Sequence, residues 1–160
     1  MVELVVERKT RESGKASFEI ETVVSDEMPL ETRVVEAFAF GFDRDARLVL
    51  VNAGAETWTL PGGAKGKRET GAETALRGVR EGTGAELVSP LAFAFRRTKP
   101  IRGTNVEESY AVLYLGAVDP AKVGPGAAFF TADEIDPSWL GEETPDVLHA
   151  ALHTWRALTD

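Results

Sequence analysis

The chain has 160 residues, of which 43 % are hydrophobic and 28 % charged, as is typical of one soluble globular domain spanning residues 1–160. Its net charge of −8 argues against long nucleic acid as a partner, because such binding needs clustered Lys and Arg. Cysteine is absent, which excludes disulfides and thiolate chemistry, and no leader-like or membrane-length apolar run is visible. We therefore expect a cytoplasmic protein without a membrane partner.

The first thirty residues predict a β-hairpin that precedes the main sheet. Val2–Arg8 is rich in valine, Ser13-Gly14 is a turn signal, and apolar side chains alternate with glutamates from Phe18 to Val24. A hairpin over residues 1–30 could cover a sheet edge of its own domain, or it could pair with a second copy and form a homodimer. Both alternatives remain open at this point.

Two apolar segments follow and predict a second hairpin. Arg33–Phe42 is strongly apolar, Asp43–Ala46 has the composition of a turn, and Arg47–Asn52 returns as a second strand.

The stretch Trp58–Leu87 predicts a strand end, a glycine turn, a loop and one amphipathic helix. Thr70 is a good N-cap, and Glu73 three residues later completes a capping box. Gly84 has the position of a C-terminal glycine stop. The apolar face of the helix has the expected helical spacing and consists of Ala72, Ala75, Leu76, Val79 and Thr83.

The remainder alternates strands and loops and closes with a helix. The pattern predicts two strands, Leu87–Arg97 and Ser109–Ala117, joined by a hairpin loop over Thr98–Val106. An aromatic segment follows at Phe129–Ile135, and a C-terminal helix at Asp146–Leu158.

Residues 58–87 carry the sequence's most specific motif. It resembles the Nudix box, G-x5-E-x7-R-E-U-x-E-E-x-G-U, in which U is a bulky apolar residue. The matching positions align without a gap and are Gly63, Glu69, Arg77, Val79, Glu81 and Gly84, preceded by Trp58 and Pro61-Gly62-Gly63. The resemblance implies an α/β (α+β) Nudix fold, with a mixed β-sheet sandwiched between the box helix and the C-terminal helix.

The resemblance also implies an activity and roles for the matching residues. Members of this family hydrolyse a nucleoside diphosphate linked to another moiety, by water attack on the pyrophosphate assisted by Mg2+ or Mn2+. By resemblance, Glu81 is a catalytic residue and the metal ligand, and Glu69 is catalytic and braces Arg77. The substrate-binding positions are Gly62, Gly63 and Arg77, which would hold a small nucleotide-type ligand.

The box departs from the family pattern at two glutamates and at its last apolar position. Gly78 and Gly82 replace the glutamates, Ala85 is the small final residue, and one carboxylate remains on a helix face where the family has three. This predicts weak binding of Mg2+ and slow turnover. Changing both glycines to glutamate is then expected to favour the helix and tighten metal binding.

Three questions stay open from the sequence. The glycines are either a simple loss of two carboxylates, the interpretation that we favour, or they allow a ligand or another backbone to approach. A late loop could supply a further metal ligand, and the candidates are Glu107, Glu108, Glu142 and Glu143. The alternative function is a catalytically impaired Nudix-fold module that binds a nucleotide or a protein.

Overall fold

The computed structural model describes residues 3–143 and 145–159, which form one mixed sheet with an α-helix on each side. The helices are α1 (Gly71–Thr83) and α2 (Pro145–Thr159). The strands are β1 (Glu3–Ser13), β2 (Ala16–Ser25), β3 (Val34–Phe42), β4 (Leu48–Gly54), β5 (Thr57–Thr59), β6 (Gly62–Ala64), β7 (Val88–Arg102), β8 (Ser109–Ala117) and β9 (Ala127–Phe130). Neither described helix has the length and apolar character that crossing a bilayer requires.

The sheet has the order β1-β2-β7-β8-β3-β4-β5, with β6 beside β3 and β9 beside β4. It is mixed because β3 and β8 run parallel, whereas the other pairings are antiparallel. The parallel pair lies at the centre, where both faces are covered by helices.

The side chains of strand β3 alternate in size, and the small and the large ones pack in two different parts of the core. Ala37 and Ala39 pack with Val79 of α1, whereas Phe40 and Phe42 pack in the cluster that contains α2. Successive side chains of a strand point to opposite faces, so the alternation of alanine and phenylalanine assigns small residues to one helix and aromatic rings to the other. The predicted sheet between two helices is therefore confirmed.

The N-terminal hairpin pairs with its own domain. Strands β1 and β2 are joined through Gly14, and β2 pairs with β7 of the same chain. The first strand continues to Ser13, beyond the predicted end at Arg8, and Val2 lies outside the described residues. Strand β1 is an edge of the sheet and exposes Leu4, so pairing with a second copy stays a prediction.

Strand β7 is longer than predicted, and the predicted loop over 98–106 is correspondingly shorter. The strand continues through Lys99 and Pro100 to Arg102, because β2 pairs with this part of it. The last residue pair between β7 and β8 is Thr98 with Ser109. Pro100 lies beyond this pair, so its missing backbone N–H does not interrupt the hydrogen bonds between the two strands.

Helix α1 begins and ends where the sequence predicts. Thr70 and Glu73 form the reciprocal capping box, with the backbone nitrogen of Glu73 donating to Thr70 Oγ1 at 3.1 Å and that of Thr70 donating to Glu73 Oε1 at 2.9 Å. Gly84 ends the helix in the left-handed conformation at φ 81°. Val79 has no exposed surface, and Ala75 and Thr83 of the predicted buried face are buried with it, whereas Ala72 and Leu76 are half-buried.

We predict that Val79→Asp severely destabilises the fold. The substitution places an unpaired carboxylate between α1 and β3, and its cost should exceed about 3 kcal/mol of unfolding free energy. Thermal and urea denaturation measure the change. The matched control is Val106→Asp in the loop after β7, where the wild-type side chain is 62 % exposed and the change should be near neutral. Equal stability of the two variants would contradict the burial of Val79.

Candidate functional site

A cleft of about 280 Å³ lies between α1 and the segment that leads from β5 into β6. We call it the α1 cleft, and its lining residues are Val51, Thr59, Leu60, Pro61, Gly62, Arg77, Gly78, Glu81 and Gly82. Of the five predicted site residues, Gly62, Arg77 and Glu81 line the cleft, and both replaced glutamate positions, Gly78 and Gly82, line it as well. Gly63 and Glu69 are not part of this lining. Glu81 is outward and on the same side as both glycines, in the predicted helical register.

Glu69 and Arg77 form the brace that the motif predicts. Arg77 Nε donates to Glu69 Oε2 at 2.8 Å, and Arg77 Nη2 donates to Oε1 at 2.9 Å. Glu69 Oε1 also accepts from the Gly66 nitrogen and from Thr74 Oγ1, both at 3.1 Å. The hydrogen bonds from Arg77 are the main cause that lowers the pKa of Glu69. These contacts fasten the loop before α1 to the helix.

Arg77 has a second carboxylate partner within the cleft. Its Nη1 lies 3.2 Å from Glu81 Oε1, and the Glu81 side chain is 62 % exposed. Helical spacing would also allow Arg77 to pair with Glu73, four residues before it. Glu73 instead accepts from the Thr70 backbone nitrogen, and Arg77 donates to Glu69 and Glu81. The two carboxylates raise the pKa of Arg77, with Glu69 as the larger cause.

Gly78 is a point of close backbone contact, which corrects the interpretation favoured from the sequence. A Cβ atom at Gly78 would lie 2.6 Å from the nitrogen and 2.7 Å from the Cα atom of Gly62. Gly62 itself has φ 127°, and a Cβ atom there would lie 2.7 Å from Phe38 Cα. The backbones of β3, β6 and α1 therefore stack in direct contact, and neither glycine leaves space for a side chain.

Gly82 faces a side chain instead. A Cβ atom at this position would lie 2.6 Å from Val51 Cγ2. The expectation that glutamates at 78 and 82 favour the helix stays a prediction, and the structure adds an opposing cost to it: a side chain at 78 meets the Gly62 backbone, whereas one at 82 requires the Val51 side chain to move.

The candidate carboxylates do not form a multi-ligand metal site. Within residues 3–143 and 145–159 no three His, Asp or Glu side chains are grouped so that they could hold a metal ion. The four loop glutamates pair with basic side chains: Glu107 with Arg33, Glu108 with Arg97, Glu142 with Lys9 and Arg11, and Glu143 with Arg96. A hard cation that needs several oxygens does not fit this donor set.

A second cavity, of about 190 Å³, adjoins the α1 cleft and shares Thr59 and Leu60 with it. We call it the Arg96 cavity, and it is lined by Glu36, Phe38, Thr59, Leu60, Arg96, Leu140, Gly141, Glu142 and Glu143. The Arg96 side chain is 6 % exposed and pairs with Glu143 through Nη1 and with Glu36 through Nη2, the latter at 2.9 Å. Burial raises the pKa of Glu143, and Arg96 opposes this rise.

Arg96 and Glu36 belong to no motif that the sequence shows, although both line this cavity. The available signal is an arginine pair that follows the apolar run of β7, since an arginine in a buried strand needs a carboxylate partner. The partner could not be chosen from the sequence, because Glu143 is 47 positions away from Arg96.

Comparisons with known proteins agree with the fold and the motif. The family model described as NUDIX domain matches residues 32–153. No curated protein sequence matches the chain at a significant level.

Three solved structures illustrate the similarity of fold. A variant of the Bacillus subtilis pyrophosphohydrolase BsRppH has 16 % identity and a TM-score of 0.60, over 93 % of this chain and 96 % of that one. An ADP-ribose pyrophosphatase from Streptococcus suis has 21 % identity and a TM-score of 0.56, over 78 % and 92 %. MutT, in a study of the Aliivibrio salmonicida and Vibrio cholerae proteins, has 14 % identity and a TM-score of 0.52, over 76 % and 98 %.

We predict that Gly78→Ala lowers stability although alanine favours a helix by about 1 kcal/mol over glycine. The added Cβ collides with the Gly62 backbone, which should give a net loss of about 1–3 kcal/mol by denaturation. Gly82→Ala should cost less, because Val51 can move its side chain. Gly126→Ala is the control, since nothing lies within 4 Å of its added Cβ. A stabilised Gly78→Ala variant would refute the close contact.

We also predict that Glu69→Gln changes the acid dependence of stability. The folded protein lowers the pKa of Glu69 below its ordinary value of 4.5, so this carboxylate stabilises the fold above that pH and loses its contribution as the pH falls through the lowered pKa. The stability gap between wild type and Glu69→Gln should therefore be largest at neutral pH and shrink in acid. Urea midpoints measured across this range test it. Glu107→Gln, whose wild-type side chain is 78 % exposed, should show no such gap.

Proposed function

The chain belongs to the Nudix family, and from that premise we propose that it binds a small nucleotide-type ligand containing a diphosphate and turns it over slowly or not at all. The observation that carries the proposal is the composition of the α1 cleft, which keeps the glycine loop and the braced arginine of the box but has one carboxylate from the helix face, Glu81. The residues suited to bind the ligand are thus retained, whereas the helix face has fewer carboxylates that could bind a metal ion than the box pattern has.

The diphosphate would lie against the glycine segment. Gly62 lines the cleft, and nothing lies within 4 Å of the position where a Gly63 side chain would begin, so the backbone is accessible to a ligand there. Arg77 lines the same cleft and is held in place by Glu69. An arginine of fixed orientation is a suitable donor for phosphate oxygens, and the missing side chain at Gly63 lets a phosphate come close to this segment.

The second candidate function is the hydrolysis that the resemblance implies, with a nucleoside diphosphate linked to another moiety as substrate and Mg2+ or Mn2+ as cofactor. The position of Glu81 beside Gly62 and Gly78 favours it. The described carboxylates do not fit a metal site with several protein ligands, which weighs against efficient catalysis.

A homodimer is a further proposal that concerns assembly. Strand β1 is an outer strand whose Leu4 and Val5 are 60 % and 45 % exposed, so its edge is available to a second copy. The cytoplasmic location stays a prediction from the sequence.

The experiment compares binding with turnover. Calorimetry with ADP, GDP and ADP-ribose in EDTA, in Mg2+ and in Mn2+ should show binding that changes by less than about tenfold between the three conditions, because the protein supplies few metal ligands. Phosphate-release assays on the same ligands should show turnover far below the roughly 10 per second of an ordinary enzyme.

Glu81→Gln separates the two candidates. Under the binding proposal, it leaves affinity in EDTA unchanged or slightly higher, because Arg77 loses one competing carboxylate. The matched control is Glu86→Gln, since Glu86 is also an exposed carboxylate paired with an arginine of α1, Arg80. Fast metal-dependent turnover that Glu81→Gln abolishes and Glu86→Gln preserves would establish the hydrolase instead. The absence of binding to every nucleotide would overturn both candidates.

A further inference from the structure

Three buried side-chain oxygens have no hydrogen-bond partner among residues 3–143 and 145–159, namely Glu7 Oε1, Thr22 Oγ1 and Glu143 Oε2. Glu7 and Thr22 are directly opposite each other in the ladder between β1 and β2, and the charge of Glu7 acts on Glu143. A buried polar atom without a partner is unfavourable. Three such atoms in one part of the molecule therefore point to a partner that they share.

The strands place two of these oxygens in one row of side chains. Glu7 of β1 lies opposite Thr22 of β2, and Thr22 lies opposite Arg96 of β7. The row continues through Ala111 of β8 to Glu36 of β3. Directly paired residues of a ladder have their side chains on the same face of the sheet. The charged ends of the row, on β1 and β3, are therefore connected through Arg96.

Glu143 reaches this row from the loop before α2. Its side chain is 2 % exposed, and its Oε1 pairs with Arg96, which leaves Oε2 without a donor. The hairpin holds the neighbouring residue, because Lys9 Nζ donates to the Glu142 carbonyl oxygen at 3.0 Å and lies 3.2 Å from its Oε2. We call this junction of Glu7, Lys9, Glu142 and Glu143 the hairpin clasp.

Lys9 does not supply the missing hydrogen bond of Glu7. Its Nζ lies 3.4 Å from Glu7 Oε1, yet it donates to Glu142 and leaves Glu7 Oε1 without a donor. The orphaned oxygen of Glu7 and that of Glu143 are both acceptors when ionised, so neither can satisfy the other without a hydrogen between them.

The charges around the hairpin clasp leave an excess of one negative charge. The carboxylates are Glu7, Glu36, Glu142 and Glu143. The basic side chains that pair with them are Lys9, Arg11 and Arg96. One proton would remove this excess. The same proton would give both orphaned carboxylate oxygens a hydrogen bond, with the protonated carboxyl as donor and the ionised one as acceptor.

We propose that Glu7 and Glu143 share one proton, and that this proton closes the hairpin clasp between β1 and the loop before α2. When the pH rises and the proton is lost, two carboxylates face each other at the junction, so the hairpin and the loop separate more readily. The clasp lies outside the α1 cleft and does not depend on whether a nucleotide binds there.

The direction of the pH effect follows from burial. Burial raises the pKa of Glu143, Arg96 opposes this rise, and the charge of Glu7 adds to it. The folded protein therefore holds the proton more tightly than an unfolded chain, in which a glutamate has its ordinary pKa of 4.5. The stabilisation is complete below that value and is lost as the pH rises through the raised pKa, which is opposite to the direction predicted for Glu69.

Carbon-13 NMR of the glutamate carboxyl carbons tests the shared proton directly. In the wild type, the Glu143 resonance should titrate above the ordinary value of 4.5. In Glu7→Gln this titration should move back toward that value, because the amide NH2 donates to Glu143 Oε2 in place of the proton. A Glu143 titration that is unchanged in Glu7→Gln would assign the raised pKa to burial alone and would overturn the shared proton.

Amide hydrogen exchange in β1 and β2 measures the closure of the clasp. After correction for the intrinsic pH dependence of exchange, protection near Glu7 and Thr22 should fall by about tenfold between pH 4.5 and about pH 8, the effect of losing a hydrogen bond to a charged group. Glu143→Gln should keep its protection nearly constant, because its amide oxygen accepts from Arg96 and its NH2 donates to Glu7.

The matched control is Glu21→Gln, which removes a carboxylate from the same hairpin. Both oxygens of Glu21 are paired, with Arg8 and Arg97, and the hydrogen bond from Arg8 is the main cause that lowers its pKa. This variant should retain the decline in protection. Histidine side chains change charge in the same pH range, but Glu143→Gln keeps the exposed His149 and His153 of α2, so a decline caused by them would persist in it.

Each outcome decides for or against the clasp. Wild-type protection that does not change with pH, or a decline that persists in Glu143→Gln, overturns it. Neither measurement contains a nucleotide, so these results leave the proposed function standing. The wild-type titration of Glu143 decides the matter even where a variant does not fold, since a value at or below 4.5 overturns the shared proton.

Discussion

The contact between the backbones of Gly62 and Gly78 determines the arrangement of the rest of the site. Strand β6 pairs with β3 on one side and touches α1 on the other, so three backbones are stacked without side chains between them. This contact fixes the distance of α1 from the sheet, which is also small because β3 directs alanines toward the helix. The same contact leaves no room for a Cβ atom at Gly78, so the glutamate that the box pattern has at this position would fit only if the two backbones moved apart.

Much of the fold could be predicted because its signals are local. The capping box at Thr70, the glycine stop at Gly84 and the buried Val79 each depend on residues within a few positions of one another. The brace between Glu69 and Arg77 also followed from the motif, since both residues belong to one loop and helix.

The features that the sequence did not predict all depend on contacts between distant segments. The close approach at Gly78 depends on Gly62, and the extra length of β7 depends on pairing with β2 from the start of the chain. The Arg96 cavity joins side chains from β3, β7 and the loop before α2. The loop glutamates that were candidate metal ligands pair with arginine and lysine side chains, and for Glu143, the buried one, this partner compensates a charge that would otherwise be costly.

The pairing of β2 with β7 has a consequence for how the protein is made. The hairpin of β1 and β2 is synthesised before its partner strand β7, which begins at Val88, after the whole box. Contacts between segments so far apart form late and slow the folding of β-rich domains. Until β7 has been synthesised, the edge of β2 that faces away from β1 has unpaired backbone groups, which could pair with another nascent chain.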